Sequence, residues 1–413
     1  MKTPWYKILG PGLLYAGAAI GVSHLVQSTR AGADFGYGLV WAVIIANVLK
    51  YPFFEFGPRY AASTGKNLLH GYRALGKWSI YLFLLITIGT MFIIQSAVTV
   101  VTAGLVSEVF GLALQPWIIS SILLVICLAI LLIGRFSMLD KVMKVIILIL
   151  SLTTIVALIA SFTGNNEKYI AYMTQFSFDD KTHVLFLIAL MGWMPAPLDI
   201  SVWHSVWSVE KNNEIHERVP LKTALLDFKI GYWGTLFLAL CFLALGATTI
   251  YGSGIELEAS GGKFANQLIG IYTKNLGSWA YLIIALAALT TMFSTTLTCL
   301  DAFPRVLSPA TQILSGKEEV KSNQLYWIWI LLVAIGTIII LAFFLTNMKT
   351  MVDFATKVAF ITSPILAILN YLAITGNTMP EENKPSLFLK IVSWLGIIYF
   401  IGFSTYFIYL TLN

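Results

Sequence analysis

The chain is a succession of apolar runs of about 18 residues or more, and two of those runs are interrupted near their middles. A run of that length spans a bilayer as a helix, because in lipid every backbone polar group must be satisfied internally. One interrupted run lies within residues 8–38 and contains Gly21-Val22-Ser23-His24. The other, His183–Trp207, contains Met191-Gly192-Trp193-Met194-Pro195-Ala196-Pro197. A glycine, a hydroxyl and an imidazole are costly at mid-membrane depth on a lipid-facing helix. Two prolines remove donors and clash with the preceding turn. Both interruptions therefore predict helices that unwind at the midplane and line a site with free backbone groups.

Further spans are expected at Gly38–Phe56, Trp78–Val106, Pro116–Ile133, Val142–Phe162, Ile230–Thr248, Trp279–Phe303, Leu325–Leu345, Val352–Thr375 and Leu387–Leu410. Polar loops are expected at Arg59–Lys77, at 163–182 around Gly164-Asn165-Asn166, and at Tyr251–Asn275. That makes about eleven helices in one transmembrane domain, with one half at about 7–162, a second at about 183–375 and an extra helix at about 387–410. The interrupted segments, one and six, lie five spans apart. An inverted repeat of two five-helix halves predicts that spacing.

Composition agrees: 58% of residues are hydrophobic and only 11% charged, against about 25% in an ordinary soluble domain. The net charge of +6 suggests a nucleic-acid partner until the charges are placed. With a cytoplasmic N-terminus, most of the 26 Lys and Arg fall on the cytoplasmic side, among them Lys2, Lys7, Arg59, Lys66, Arg73, Lys77, Arg135, Lys211 and Arg218. The positive-inside rule accounts for the excess. Expected partners are thus the lipid bilayer and a small transported ion or solute, not nucleic acid, and the oligomeric state is left open. Odd parity places the C-terminus outside the cell membrane. Cys127, Cys241 and Cys299 lie inside apolar runs with no C-x-x-C spacing and read as packing residues. The N-terminus shows no cleavage signal after a short apolar core.

The frame Gly10-Pro11-Gly12, eight residues, the four-residue break, then Ala31-Gly32-Ala33-Asp34-Phe35-Gly36-Tyr37 resembles the first transmembrane segment of the NRAMP divalent-metal transporters. Ser63-Thr64-Gly65-Lys66-Asn67-Leu68 resembles the same family. The resemblance implies an all-α integral membrane protein of the leucine-transporter type, an inverted repeat of five plus five helices with one extra C-terminal helix. In that family the break reads Asp-Pro-Gly-Asn, and its Asp and Asn hold the metal. Segment six carries Met-Pro-His, whose Met thioether contacts the metal, with a backbone carbonyl one turn earlier. This chain keeps Met194 and Pro195, has Ala196 in place of the His and Met191 at the carbonyl position, and fills the first break with Gly21, Val22, Ser23 and His24. Those eight residues are the expected substrate site, with His24 and Met194 as ligands if the cargo is a metal. Without the aspartate, such a set suits soft ions such as Cu, Zn or Ni better than Mg or Mn.

The family also places an Asp and a Glu on segment three. Here that segment reads Gln95-Ser96-Ala97-Val98-Thr99-Val100-Val101-Thr102, so proton coupling by the family's route is not expected. Compensation is sought among the intramembrane charges Lys50, Glu55, Asp199, Asp301 and Lys357. Glu55 is expected to pair with Arg59, Asp199 with a lysine, and Lys357 to set an ammonium beside the core. Ser294 and Thr295, within the hydroxyl-rich stretch of segment eight, are candidates for a sodium site of the leucine-transporter type. The first functional reading is a secondary transporter of divalent metal ions. The second keeps alternating access but moves a small organic solute such as an amino acid, with Na⁺ as a coupling ion. A sensor on the same scaffold is a third, with no soluble output domain to support it. No nucleophile–base pair and no phosphate-cradling glycine motif points to an enzyme, and no cofactor is expected.

Overall fold

The computed structural model describes residues 10–133, 136–163, 175–315, 323–345 and 347–412. The expected start of the first half, the stretch around Gly164–Asn166, and Lys2, Lys7 and Arg135 lie outside these. Among the described residues the chain is all helix, with no strand. In order the helices are α1 (Pro11–Ala19), a π-helical turn (Ser23–Ser28), α2 (Thr29–Phe35), α3 (Val40–Thr64), α4 (Leu68–Leu75), α5 (Lys77–Phe110), α6 (Pro116–Ile133) and α7 (Phe136–Thr163). Then follow α8 (Lys181–Trp193), α9 (Ile200–Ile215), α10 (Leu221–Thr249), α11 (Gly261–Leu276), α12 (Tyr281–Ser315), α13 (Asn323–Phe343), α14 (Met348–Thr375) and α15 (Leu387–Leu412). Eight of these are long and apolar enough to cross a membrane.

The two interrupted segments form the centre. Nearly every described residue from Gly10 to Phe35 and from Phe186 to Ser208 is buried, whatever face of the helix it occupies. A helix apolar all round belongs inside a bundle or in lipid. Here the surrounding helices enclose it: α10 packs on α1, α2 and α3, α9 on α3, and α8 on α14. The lipid-facing side is carried by α6, α13 and α15, which expose large apolar residues such as Val125, Ile335 and Ile398. Backbones approach closely where segment one meets α10. A Cβ at Gly12, Gly231, Gly32 or Gly246 would run into the partner's main chain, so only glycine fits there. At its start, α1 has Pro11 in the first turn, and Asp227 of α10 accepts from the N–H groups of Gly10 (3.4 Å) and Gly12 (2.7 Å). A carboxylate at a helix N-terminus complements the free N–H groups and the dipole.

Four sequence boundaries are corrected. The second span does not end at Phe56: α3 continues to Thr64, where Gly65 adopts a left-handed φ of 74° and terminates it. The expected loop at Arg59–Lys77 therefore contains a helix end and the whole of α4, whose Leu68, Leu69 and Tyr72 are buried. Likewise the loop Tyr251–Asn275 contains α11, which buries Phe264, Leu268 and Ile271 at helical spacing. Short amphipathic helices lack the long apolar run by which spans are recognised. Segment eight runs on past Phe303 to Ser315, with Pro304 and Pro309 inside the helix.

Candidate functional site

Segment one loses its regular bonding where the sequence predicts. α1 stops at Ala19, the N–H of Gly21 donates to Ala19 O (3.0 Å), and both His24 N–H (3.1 Å) and Leu25 N–H (2.9 Å) turn to Gly21 O. The wide turn that follows fixes Ser23 and His24 inward. Ser23 Oγ lies 2.8 Å from Ala19 O, 2.8 Å from His24 Nδ1 and 3.1 Å from Pro195 O, so the two interruptions touch. His24 Nε2 is 3.0 Å from Thr235 O on α10. A carbonyl can only accept, so Nε2 carries a proton, while the single Ser23 hydroxyl proton faces Ala19 O, Pro195 O and His24 Nδ1 and can be given to one of them at a time. Both ring nitrogens are therefore engaged within the protein.

Gly21 faces α12. A Cβ built there would sit 2.9 Å from Thr295 Cγ2 and 3.0 Å from its Oγ1. The Thr295 hydroxyl is 3.3 Å from Gly17 O, 3.4 Å from Ile20 O and 3.0 Å from Thr291 O, so it reaches the segment-one carbonyls itself. Ser294, by contrast, donates to Thr291 O of its own helix (2.8 Å). On segment three, Gln95 donates to Thr99 Oγ1 and Thr296 O, and Thr102 meets Thr296 Oγ1 at 2.7 Å, so neutral groups join α5 to α12.

Segment six opens with Asp180, whose carboxylate accepts from the N–H groups of Thr182 (2.7 Å) and His183 (3.3 Å). Helix α8 stops at Trp193, residues 194–199 run without helix, and α9 begins at Ile200. The Met194–Pro195 peptide is cis. Into this gap comes Lys50 from α3. Its side chain is fully buried, and Nζ donates to Gly192 O (2.8 Å), Met191 O (2.9 Å) and Ala196 O (3.3 Å). The ammonium's three donors thus meet three carbonyls, two of them at the negative end of α8. The Met191 thioether turns the other way and accepts from Tyr399 of α15 at 3.0 Å. Met194, Pro195 and Ala196 are all buried in the gap.

The remaining charges divide. Glu55 pairs with Arg59 (2.6 Å), as the sequence suggested, and Asp301 pairs with Arg305 (2.7 Å) and Tyr326 (2.6 Å). Asp199 is only 1% exposed, and neither of its oxygens has a hydrogen-bond partner among the described residues. The expected lysine partner is thus not found among the described residues, and the buried Lys50 ammonium is committed to carbonyls. Lys357 is half-buried, and the ammonium buried in the gap belongs to Lys50 instead. Two contributors escaped the sequence reading. Thr235 acts through a main-chain carbonyl, which no residue type betrays, and Tyr399 lies in an unremarkable apolar-aromatic span. Among the described residues, no group of three His, Cys, Asp or Glu converges as a metal cluster would require.

An all-helical bundle closed around two interrupted segments defines a multi-pass membrane protein of the leucine-transporter type, and solved structures match it. A manganese transporter of Eremococcus coleocola superposes with a TM-score of 0.73 at 12% identity, covering 97% of this chain and 85% of that one. MhsT in complex with L-phenylalanine superposes with a TM-score of 0.63 at 14% identity, covering 95% and 97%. An uncharacterized protein of Pasteurella multocida (strain Pm70) is 34% identical over 412 residues, 98% of this chain and 94% of that protein. Residues 12–410 match the model of the natural resistance-associated macrophage protein-like (Nramp) family, and the chain belongs to that family.

Proposed function

We propose that this chain is a secondary transporter of the cell membrane, not an enzyme, and that its cargo crosses by alternating access at the gap between segments one and six. The observation that carries the reading is the meeting of the two interruptions, Ser23 Oγ against Pro195 O, inside a wholly buried shell. Two halves, about 7–162 and 183–375, would rock around that point. The N-terminus lies in the cytoplasm and the C-terminus outside. Family membership and the likeness to a manganese transporter support a divalent metal ion as cargo. In that reading His24 Nδ1, once it parts from Ser23 Oγ, would join the Met194 thioether and freed carbonyls as the donors, a soft set.

A second reading, a small organic solute, is favoured by the Lys50 ammonium on the segment-six carbonyls and by the lack of a carboxylate at Gly21, Ser23 and Ala196. Likeness to MhsT, solved in complex with L-phenylalanine, supports this cargo class on the same fold. The test common to both is uptake into proteoliposomes, with Mn²⁺, Zn²⁺, Ni²⁺ and radiolabelled amino acids as probes. Saturable uptake is expected, weakened about 10- to 100-fold in His24→Ala through the loss of two buried hydrogen bonds. Uptake no greater than in protein-free vesicles would overturn the transporter reading.

A further inference from the structure

We infer that Lys50 is the anchor for a carboxylate, so that the cargo of this gap is a small organic acid or amino acid. The inference rests on the transporter reading above and names the cargo class of the same site. Its first support is placement. The ammonium is fully buried at the C-terminal end of α8 and occupies the carbonyls of Met191, Gly192 and Ala196, which the interruption of segment six set free. A cation cargo would need those same oxygens.

The second support is charge. Among the described residues, no carboxylate forms an ion pair with Lys50, and Asp199, the buried carboxylate at the end of the non-helical stretch, has no hydrogen-bond partner and has not closed onto it. Three carbonyls match the three N–H donors of an ammonium but supply no counter-charge, and burial in an apolar interior penalises a charge that lacks one. No acidic residue stands at Gly21, Val22, Ser23, His24, Met194 or Ala196 to supply one. A carboxylate entering the gap does so. It replaces the longest contact, 3.3 Å to Ala196 O, while the two shorter bonds hold the ammonium in place.

The test uses the full chain in liposomes and measures uptake of radiolabelled lactate, succinate, alanine and proline, with Mn²⁺ as a separate probe and lactamide as competitor. The expected result is saturable uptake of at least one carboxylate that lactamide does not inhibit. Affinity should fall about 10- to 100-fold in Lys50→Met, the cost of one charged hydrogen-bond partner, and should largely survive in Lys50→Arg. Lactate against alanine tells whether a plain acid or a zwitterion is preferred, and either supports the anchor. Saturable Mn²⁺ uptake with no carboxylate transported leaves the transporter reading intact and overturns this inference. No uptake of any probe overturns both. Carboxylate uptake unchanged in Lys50→Met reduces Lys50 to a helix cap, and equal inhibition by lactamide overturns charge recognition on the wild-type protein, whether or not the variants fold.

Discussion

Gly21 and Thr295 should behave as one steric unit, and a double-mutant cycle between them measures how tightly the gap is closed. A Cβ at Gly21 meets Thr295 Cγ2 at 2.9 Å and Oγ1 at 3.0 Å, both shorter than side chains ordinarily tolerate. Thr295 has little freedom to yield. It is β-branched on a helix, and its hydroxyl is turned toward Gly17 O, Ile20 O and Thr291 O. Gly21→Ala should therefore cost about 1–3 kcal/mol, the usual range for overpacking. Thr295→Ala should cost about 1 kcal/mol on its own, from its hydrogen bonds. In the double variant the nearest contact is Thr295 Cβ at 3.4 Å, an ordinary distance, so the steric cost disappears. The two changes should then be non-additive by about 1–2 kcal/mol, read from unfolding of the detergent-purified variants. Additivity within about 0.5 kcal/mol would show that Gly21 has room and refute the reasoning. By the same geometry, Gly21→Asp alone should not create a metal site, because its carboxylate has to displace Thr295.

At the far end of segment one, Arg30 and Asp353 tie it to α14, with Nη1–Oδ1 at 2.6 Å, Gln27 on the same oxygen at 3.2 Å and Phe186 under the guanidinium. Asp353→Asn leaves a nearly buried Arg30 without its carboxylate and should lower stability by about 1–3 kcal/mol, because one partner of the pair is lost. The loss should change little with added NaCl; a loss that vanishes in salt would make this a surface pair. At the start of α8, the N–H groups of His183 and then Thr182 hold the Asp180 carboxyl below its ordinary value. A depressed native pKa means stabilisation that is full above the unfolded value near ~3.9 and is lost as pH falls through the native one. The stability gap between wild type and Asp180→Ala should therefore be constant near neutrality and shrink below about pH 4; a pH-independent gap would rule the cap out.

Much of the centre was legible because membrane physics makes irregular backbone conspicuous. Residues 21–24 and 191–197 stood out as groups a continuous lipid-facing helix cannot carry; regular helix is lost at Ile20–Gly21, ahead of a π-helical turn that holds Ser23 and His24, and at 194–199, after Met191–Trp193 have completed α8. What the residues could not disclose was which partner answers each freed group. His24 reads as a metal ligand by type, yet Thr235 O and Ser23 Oγ take up its ring nitrogens. Thr295 reads as a sodium ligand, and its own hydroxyl already lies at the segment-one carbonyls. Lys50 left the clearest trace. Its nearest acid in sequence, Glu55, is five residues on, too far along the helix to pair and taken by Arg59. A lysine in an apolar span with no acid one turn away already asks for a distant partner.

The consequence of that partner can be put in numbers. A divalent ion bound to Met191 O would lie no more than about 5 Å from Nζ, which is 2.9 Å from the same oxygen. At an effective dielectric near 20, charges of +2 and +1 at that distance repel by roughly 7 kcal/mol, about five decades of affinity. The aspartate that the family resemblance places at Gly21 would have contributed about 10 kcal/mol of attraction in the same approximation. The absence of a carboxylate at Gly21 and the presence of the Lys50 ammonium therefore act in the same direction, against a cation at that point. A carboxylate at ordinary ion-pair distance from Nζ gains about 4–6 kcal/mol by the same rule, before desolvation. On the carboxylate-anchor proposal the gap would favour an anion, and the residue that would decide this is contributed by α3, outside both broken helices.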